Sequence, residues 1–138
     1  MKRGGKAQVS VEFITVFGFV LLMTVPLVTI FFDQSEAVKD RIAENQLRNI
    51  AIKIADKAET MYYLGEPSRT TLKAYFPERI ENVNITQRTI IFEYRRAGNA
   101  LSPISYTSRV NISGTISTEP GIHYLEIRSL GDEISITG

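Results

Sequence analysis

The apolar run from Phe13 to Phe32 constrains this chain more than any other feature, because its twenty consecutive residues carry no charge. About 20 apolar residues allow an α-helix to cross the hydrocarbon core of a bilayer. Lys2, Arg3 and Lys6 precede the run, and a basic flank of this kind is typical of the cytoplasmic side of a membrane segment. The pattern predicts membrane insertion, with the chain after Asp33 on the outer side.

A cleavable secretory signal explains the run less well than a membrane anchor does. Such signals have an apolar core of about 7–15 residues, followed by a small-x-small cleavage site. This run is longer, and the stretch from Pro26 to Asp33 offers no such site. An anchor accounts for the apolar residues but leaves unexplained Glu12, a carboxylate directly before the run.

The residues around Glu12 match a known processing motif. The segment Lys-Ala-Gln-Val-Ser-Val-Glu-Phe resembles the processing site of archaeal type IV pilin-like precursors with a class III signal peptide. Their pattern is Gln-x-Ser-x-Glu directly before the apolar segment, and Gln8, Ser10 and Glu12 fill its three positions. The resemblance implies that a membrane-embedded prepilin peptidase cuts between Ala7 and Gln8 and removes a leader of residues 1–7. It also makes Glu12 the fifth residue of the mature chain, where type IV pilins typically carry a glutamate.

Glu12 has two interpretations. In a filament core of packed apolar helices its carboxylate would be desolvated, which is costly unless the charge is paired. The first hypothesis is that Glu12 pairs with the freed α-amino group of a neighbouring subunit and so sets the axial register. The alternative is an interfacial charge without a partner, which helix ends in membranes tolerate.

A second helical pattern follows the apolar run and ends at the stop signal of Gly65 and Pro67. Its apolar residues recur near the 3.6-residue period of a helix: Val38, Ile42, Leu47, Ile50, Ile54, Ala58 and Met61. A continuous helix from Gln8 to Leu64 would span roughly 85 Å, which is too long for a compact chain of 138 residues. We therefore expect its first half in lipid or a helical bundle and its second half against a β-sheet.

Two residues of the apolar run could bend this helix. Pro26 removes one backbone hydrogen bond, and Gly18 permits close approach of another helix. Both local unwinding during fibre assembly and an ordinary membrane-helix kink fit these residues.

The last part of the chain, residues 65–138, has the composition of short strands. Alternating apolar residues separated by turn signals predict an antiparallel sheet or small sandwich. The predicted strands centre on 72–76, 83–85, 90–94, 104–106, 110–112, 125–127 and 134–136, and the predicted turns on 97–99, 113–114, 119–121 and 130–132. The expected fold class is α+β: a long N-terminal helix followed by a small, type IV pilin-like β-domain.

Catalytic and cofactor chemistry has little support in this sequence. The chain contains no cysteine and one histidine, His123, which is expected at the core face or solvent edge of a strand. A zinc site or nucleophile–histidine pair therefore has no second member, and Asp132-Glu133 lacks a calcium-loop pattern. We predict no enzyme activity, no metal and no cofactor. Without residues 1–7 the formal charge falls from +1 to −2, so no nucleic-acid partner is expected.

Two sequons lie in the part predicted to be external. Asn84-Ile85-Thr86 and Asn111-Ile112-Ser113 both fit N-x-Ser/Thr. Either N-glycosylation at Asn84 and Asn111 or chance occurrence in Ser/Thr-rich strands explains them.

Tyr62 and Tyr63 are expected to seal the joint between helix and sheet, with a surface stacking role as the alternative.

The resemblance implies a subunit of an archaeal surface filament, held in the membrane as a precursor and then assembled at the cell surface. Its expected partners are identical or related pilin subunits, the prepilin peptidase, the pilus assembly platform and the membrane, and its expected work is adhesion. Two alternatives remain: a minor pilin or pseudopilin that primes assembly, and a membrane-anchored binding domain that never polymerises.

Overall fold

The computed structural model describes the backbone of residues 4–138 and the side chains of residues 9–138. Along this backbone one helix precedes seven strands. The elements are α1 Gly4–Leu64, β1 Arg69–Phe76, β2 Ile80–Thr86, β3 Thr89–Arg95, β4 Leu101–Thr107, β5 Ile112–Thr115, β6 Gly121–Ser129 and β7 Ile134–Thr137. The α+β class, with a long N-terminal helix before a small β region, is confirmed.

Helix α1 ends where the sequence predicts, at Leu64. Gly65 follows with φ of 72°, the left-handed conformation that commonly terminates helices. Its N–H donates to the carbonyl of Met61 at 3.1 Å, and the hydroxyl of Ser68 donates to the same carbonyl at 3.0 Å. These contacts satisfy a backbone acceptor that the last turn of the helix leaves open. The helix continues through both Gly18 and Pro26.

The strands form two sheets. The first has the order β1-β6-β7-β5, and the second has the order β2-β3-β4. All pairs are antiparallel except β5 with β7, which run parallel with Ile112 opposite Ile134. The predicted antiparallel sheet or small sandwich therefore includes this one parallel pair among the described strands, because β5 reaches β7 by way of β6 rather than through a hairpin.

The predicted turn at Ser113-Gly114 is wrong, since both residues belong to β5. Gly114 has φ of 133°, and a Cβ atom there would lie 1.8 Å from the carbonyl oxygen of Ile136. The glycine therefore permits the close approach of two paired backbones, which is one of the common reasons for a glycine within a strand.

A single hydrophobic cluster joins the C-terminal part of α1 to both sheets. The helix contributes a buried face that we call the packed stripe: Ala43, Leu47, Ile50, Ala51, Ile54, Ala58 and Met61. Val38 and Ile42, expected in this stripe, are about half exposed, at 53% and 52%. The stripe instead begins at Ala43, and Ala51 within it is fully buried.

The chain divides into two compact units, Met1–Val38 and Lys39–Gly138. The second unit contains the packed stripe together with all seven strands. The division into a leader of residues 1–7, a helix of residues 8–64 and a β-domain of residues 65–138 stays a prediction.

Candidate functional site

The apolar run presents an almost continuous hydrophobic surface. Its aromatic and branched side chains are exposed, with Phe13 at 68% and Phe31 at 69%. Among the described residues, α1 is one helix that is long and apolar enough, by length and composition, to cross a membrane. Soluble proteins seldom expose contiguous apolar patches of this extent, and larger patches mark membrane or protein contacts. The run therefore needs lipid or other helices around it.

The polar side chains of the apolar run are satisfied within the helix. The hydroxyls of Thr15, Thr24 and Thr29 donate to the carbonyls four residues earlier, at 2.7 to 2.8 Å. Such back-bonding removes the hydroxyl's need for water, which matters because an unsatisfied polar group in hydrocarbon costs several kcal/mol. The surface of the run is therefore apolar in effect as well as in composition.

Glu12 lies on the exposed surface of α1, directly before the apolar run. Its carboxylate makes no ion pair or hydrogen bond with any residue whose side chain the structure describes. Each Leu, Ile, Phe or Val in a span favours insertion by about 0.3–0.6 kcal/mol, and a charge at the bilayer centre costs about 2.5–3.5 kcal/mol. One carboxylate at the edge of twenty apolar residues is thus compatible with membrane insertion, but it needs a partner in a dry assembly.

The structure describes the side chains of only part of the predicted processing motif. The side chains of Ala7 and Gln8 are not among those described, and the backbone there is helical, since α1 begins at Gly4 rather than at Gln8. No strong helix breaker separates the predicted leader from the apolar run, which explains the earlier start. Ser10 and Glu12 are exposed, and a spacing of two residues places them on different sides of the helix.

An ionic and hydrogen-bonded cluster, which we call the Asp40 cluster, ties α1 to the turn between β3 and β4. The Tyr94 hydroxyl donates to Asp40 Oδ1 at 2.9 Å, and the Ala97 N–H donates to both Asp40 oxygens at 3.1 and 3.3 Å. One turn further along α1, the Arg96 guanidinium pairs with Glu44, with Nε at 2.8 Å from Oε1. Burial, followed by the hydrogen bond to Asp40, raises the pKa of Tyr94, so this phenol keeps its proton and remains a donor.

The Asp40 cluster was missed by sequence reasoning. Asp40 and Tyr94 are 54 residues apart, and no local spacing links them. The only sequence signal is that Asp40 lies beside the packed stripe, where a carboxylate needs a partner.

The two sequons lie at the same end of the β region. Thr86 donates its hydroxyl to Asn84 Oδ1 at 3.1 Å, just before the turn between β2 and β3. Arg88 follows that turn, and its Nε donates to Asn111 Oδ1 at 3.1 Å. Asn84 and Asn111 are both exposed, so each side chain is accessible for modification.

His123 lies at the edge of the core, half buried. Its ring stacks on Phe76, with centroids 4.6 Å apart, and its Nε2 is 2.7 Å from the Glu119 carbonyl. These contacts account for the histidine as a packing residue. Among the described residues no group of three or more His, Asp or Glu side chains is placed to hold a metal ion, and Asp132-Glu133 forms an exposed turn.

Tyr62 and Tyr63 do not both seal the end of the helix. Their rings meet edge to face at 5.9 Å, but Tyr63 is 78% exposed. The expectation of a sealed joint is therefore wrong for Tyr63.

Comparison with known proteins adds no relative. No protein-family model, curated protein or solved structure matches this chain significantly.

Proposed function

We propose that this protein is a subunit of an archaeal type IV pilus-like surface filament. In this account a prepilin peptidase removes residues 1–7, the apolar run holds the subunit in the membrane, and the assembly platform transfers it to a fibre. The apolar helices then form the core of the fibre and the β regions its outer surface, where they act in adhesion. Identical or related subunits are its main partners.

The observation that carries this proposal is the coupling of two features in one helix. The apolar run is exposed and has its hydroxyls satisfied internally, whereas the packed stripe further along the same helix is buried against strands. A helix with such a division can exchange lipid for neighbouring copies of itself without disturbing the folded unit. Gln8, Ser10 and Glu12 at its start add the processing motif.

Leader removal separates this proposal from a permanent membrane anchor. With a prepilin peptidase in the same membrane, the chain should lose residues 1–7, as measured by intact mass. Ala7→Leu or Gln8→Leu should block the loss, because both residues flank the proposed cut. Val11→Ala, at an unspecified position of the motif, is the matched control and should be processed normally. A wild-type chain that stays intact would support the anchor instead.

Glu12 tests the assembly step. If its carboxylate pairs with a neighbouring α-amino group, Glu12→Gln and Glu12→Ala should be processed but should yield far fewer filaments. Asp33→Asn, at the other end of the apolar run, controls for the loss of a charge beside the membrane. Normal filament yield from both Glu12 variants would sink the register hypothesis.

A minor pilin that primes assembly is the second candidate, and it has the same sequence features. Quantifying the chain in purified filaments separates the two, since a major subunit should account for most of the filament mass.

N-glycosylation of Asn84 and Asn111 is a further part of the proposal, supported by the exposure of both side chains. An unmodified intact mass of the native protein would contradict the glycosylation.

A further inference from the structure

A cavity of about 220 Å³ lies between α1 and β1, within the unit Lys39–Gly138. Ile50, Leu72 and Ala74 supply apolar lining. The remaining lining residues are polar or amphipathic: Gln46, Asn49, Lys53, Lys73 and Tyr75. We call this the α1–β1 cavity. Such a mixture of apolar floor and converging polar groups is typical of small-molecule sites.

Three polar side chains of the α1–β1 cavity are not used by the fold. Within the described part of the chain, Gln46, Asn49 and Lys53 make no hydrogen bond or ion pair through their side chains. The nearby carboxylates of the Asp40 cluster, by contrast, are all engaged. Two amides and an ammonium therefore remain available as donors and acceptors for a ligand.

The charge of the α1–β1 cavity selects an anion. Lys53 and Lys73 line it, and no carboxylate does. A positively charged lining of this kind attracts anions. Charge-assisted hydrogen bonds from lysine to carboxylate or sulfate are stronger than neutral ones.

An exposed aromatic surface continues from the cavity along β1 and β6. Tyr75 is 58% exposed and pairs with Ile122, while Lys73 pairs with Tyr124, which is 64% exposed. The Lys73 ammonium lies 5.9 Å from the centre of the Tyr124 ring. Tyrosine rings offer a flat apolar face with a polar tip, and the C–H faces of sugar rings pack well on such surfaces.

We propose that the α1–β1 cavity and the adjoining Tyr75–Tyr124 surface bind an anionic polysaccharide, through uronate or sulfate groups. Lys53 and Lys73 contact the anion, Gln46 and Asn49 bond sugar hydroxyls, and the two tyrosines pack against sugar rings. The proposal deepens the adhesive role above by naming its ligand class, and in that respect it rests on the proposed function. Weak single sites suffice, because many copies in a fibre bind together.

An acidic peptide is the competing ligand. β1 is an edge strand of its sheet, and edge strands accept extended peptides. The exposed tyrosine rings and the unused amides favour the saccharide, because a peptide strand would bond mainly to the backbone of β1.

The test uses the full-length chain in detergent micelles over immobilised polymers. Polygalacturonate and dextran sulfate present the two anionic groups, neutral dextran removes the charge, and polyglutamate presents carboxylates without sugar. We expect binding to polygalacturonate or dextran sulfate that weakens at high salt, with the stronger of the two identifying the anionic group. Lys53→Gln with Lys73→Gln should weaken this binding by about tenfold or more, and so should Tyr75→Ala with Tyr124→Ala.

Matched controls separate a site from general charge. Lys57→Gln removes an exposed lysine of α1 outside the cavity, and Tyr63→Ala removes the exposed tyrosine at the end of the helix; both should bind like wild type. The proposal would be overturned if the wild-type chain bound neither anionic polysaccharide, or if it bound polyglutamate as strongly as the polysaccharides. It would also be overturned if Lys57→Gln weakened binding as much as the cavity variants do.

Filament yield is scored for the same variants. If the wild-type chain forms filaments normally but binds neither polysaccharide, this inference alone is overturned. Polysaccharide binding by a chain that never forms filaments would overturn the proposed assembly and leave the site in place.

Discussion

The two halves of α1 differ in apolar content and in surroundings: the apolar run carries no charge, whereas the helix after it alternates apolar residues with charged ones. The apolar run exposes nearly all of its hydrophobic side chains, whereas the packed stripe buries Leu47, Ile54 and Ala58 completely. Hydrophobic residues all round a helix require an apolar environment on every side, while a one-sided stripe requires only a sheet. The same physical force therefore predicts a stable folded unit around the stripe and an assembly or membrane contact around the run.

Truncating one leucine in each half is the strongest way to test this difference. Leu47→Ala should lower the free energy of unfolding of the unit 39–138 by about 2–5 kcal/mol, because it leaves a cavity in the core. Leu22→Ala, at a residue 66% exposed, should leave that free energy unchanged. Urea unfolding of the full chain in detergent, followed by the near-ultraviolet signal of the tyrosines, measures both. Equal losses of unfolding free energy in the two variants would contradict the difference between the two halves of α1.

Gly114→Ala should be the next largest effect. The new methyl group would meet the Ile136 carbonyl at a residue with φ of 133°, and we expect a loss of about 2–3 kcal/mol. Membrane insertion of the variant should be normal, since the apolar run is unchanged. Gly98→Ala is the control, because a Cβ there meets nothing within 4 Å. A Gly114→Ala chain as stable as Gly98→Ala would contradict the close approach of β5 and β7.

The Asp40 cluster should contribute less. Tyr94→Phe removes the hydrogen bond to Asp40 and should cost about 0.5–1.5 kcal/mol in the free energy of unfolding. Tyr106→Phe is the matched control, since no hydrogen bond of the Tyr106 hydroxyl occurs among the described residues. A Tyr94→Phe loss no greater than that of Tyr106→Phe would show that the cluster does not hold α1 to the β3–β4 turn.

The smallest expected effect is a pH dependence at the surface of the second sheet. Arg95 donates from Nε to Glu81 Oε1 at 2.6 Å, and this hydrogen bond, with the charge of Arg95, lowers the pKa of Glu81 below 4.5. The depressed pKa adds stability above pH 4.5, and that part is lost as pH falls through the folded-state value. Glu81→Gln should therefore flatten the acid side of the stability profile slightly. Identical stability profiles at acid pH for Glu81→Gln and wild type would contradict a contribution of the Glu81–Arg95 pair to stability.

Local patterns predicted much of the fold. The end of α1 followed from Gly65 and Pro67, and every predicted strand centre lies in or beside an observed strand. The differences share a cause: they depend on contacts between distant residues. The parallel pairing of β5 with β7, the strand conformation of Gly114 and the exposure of Ile42 all depend on which element becomes a neighbour.

The candidate sites divide in the same way. The proposed processing motif around Glu12 is contiguous and was therefore predicted from the sequence, but testing it needs partners outside the chain. The α1–β1 cavity joins Gln46 and Lys53 of the helix to Lys73 of a strand, and no spacing along the chain links them. Sequence alone therefore indicated the proposed assembly segment and missed the proposed binding cavity.

One measurement tests the central claim most directly: mass spectrometry of the amino terminus of this protein, taken from purified native surface filaments. The account predicts that the protein is present in the filaments and begins at Gln8, with its apolar run retained. A chain that still begins at Met1, or that is found in membranes and never in filaments, would contradict it.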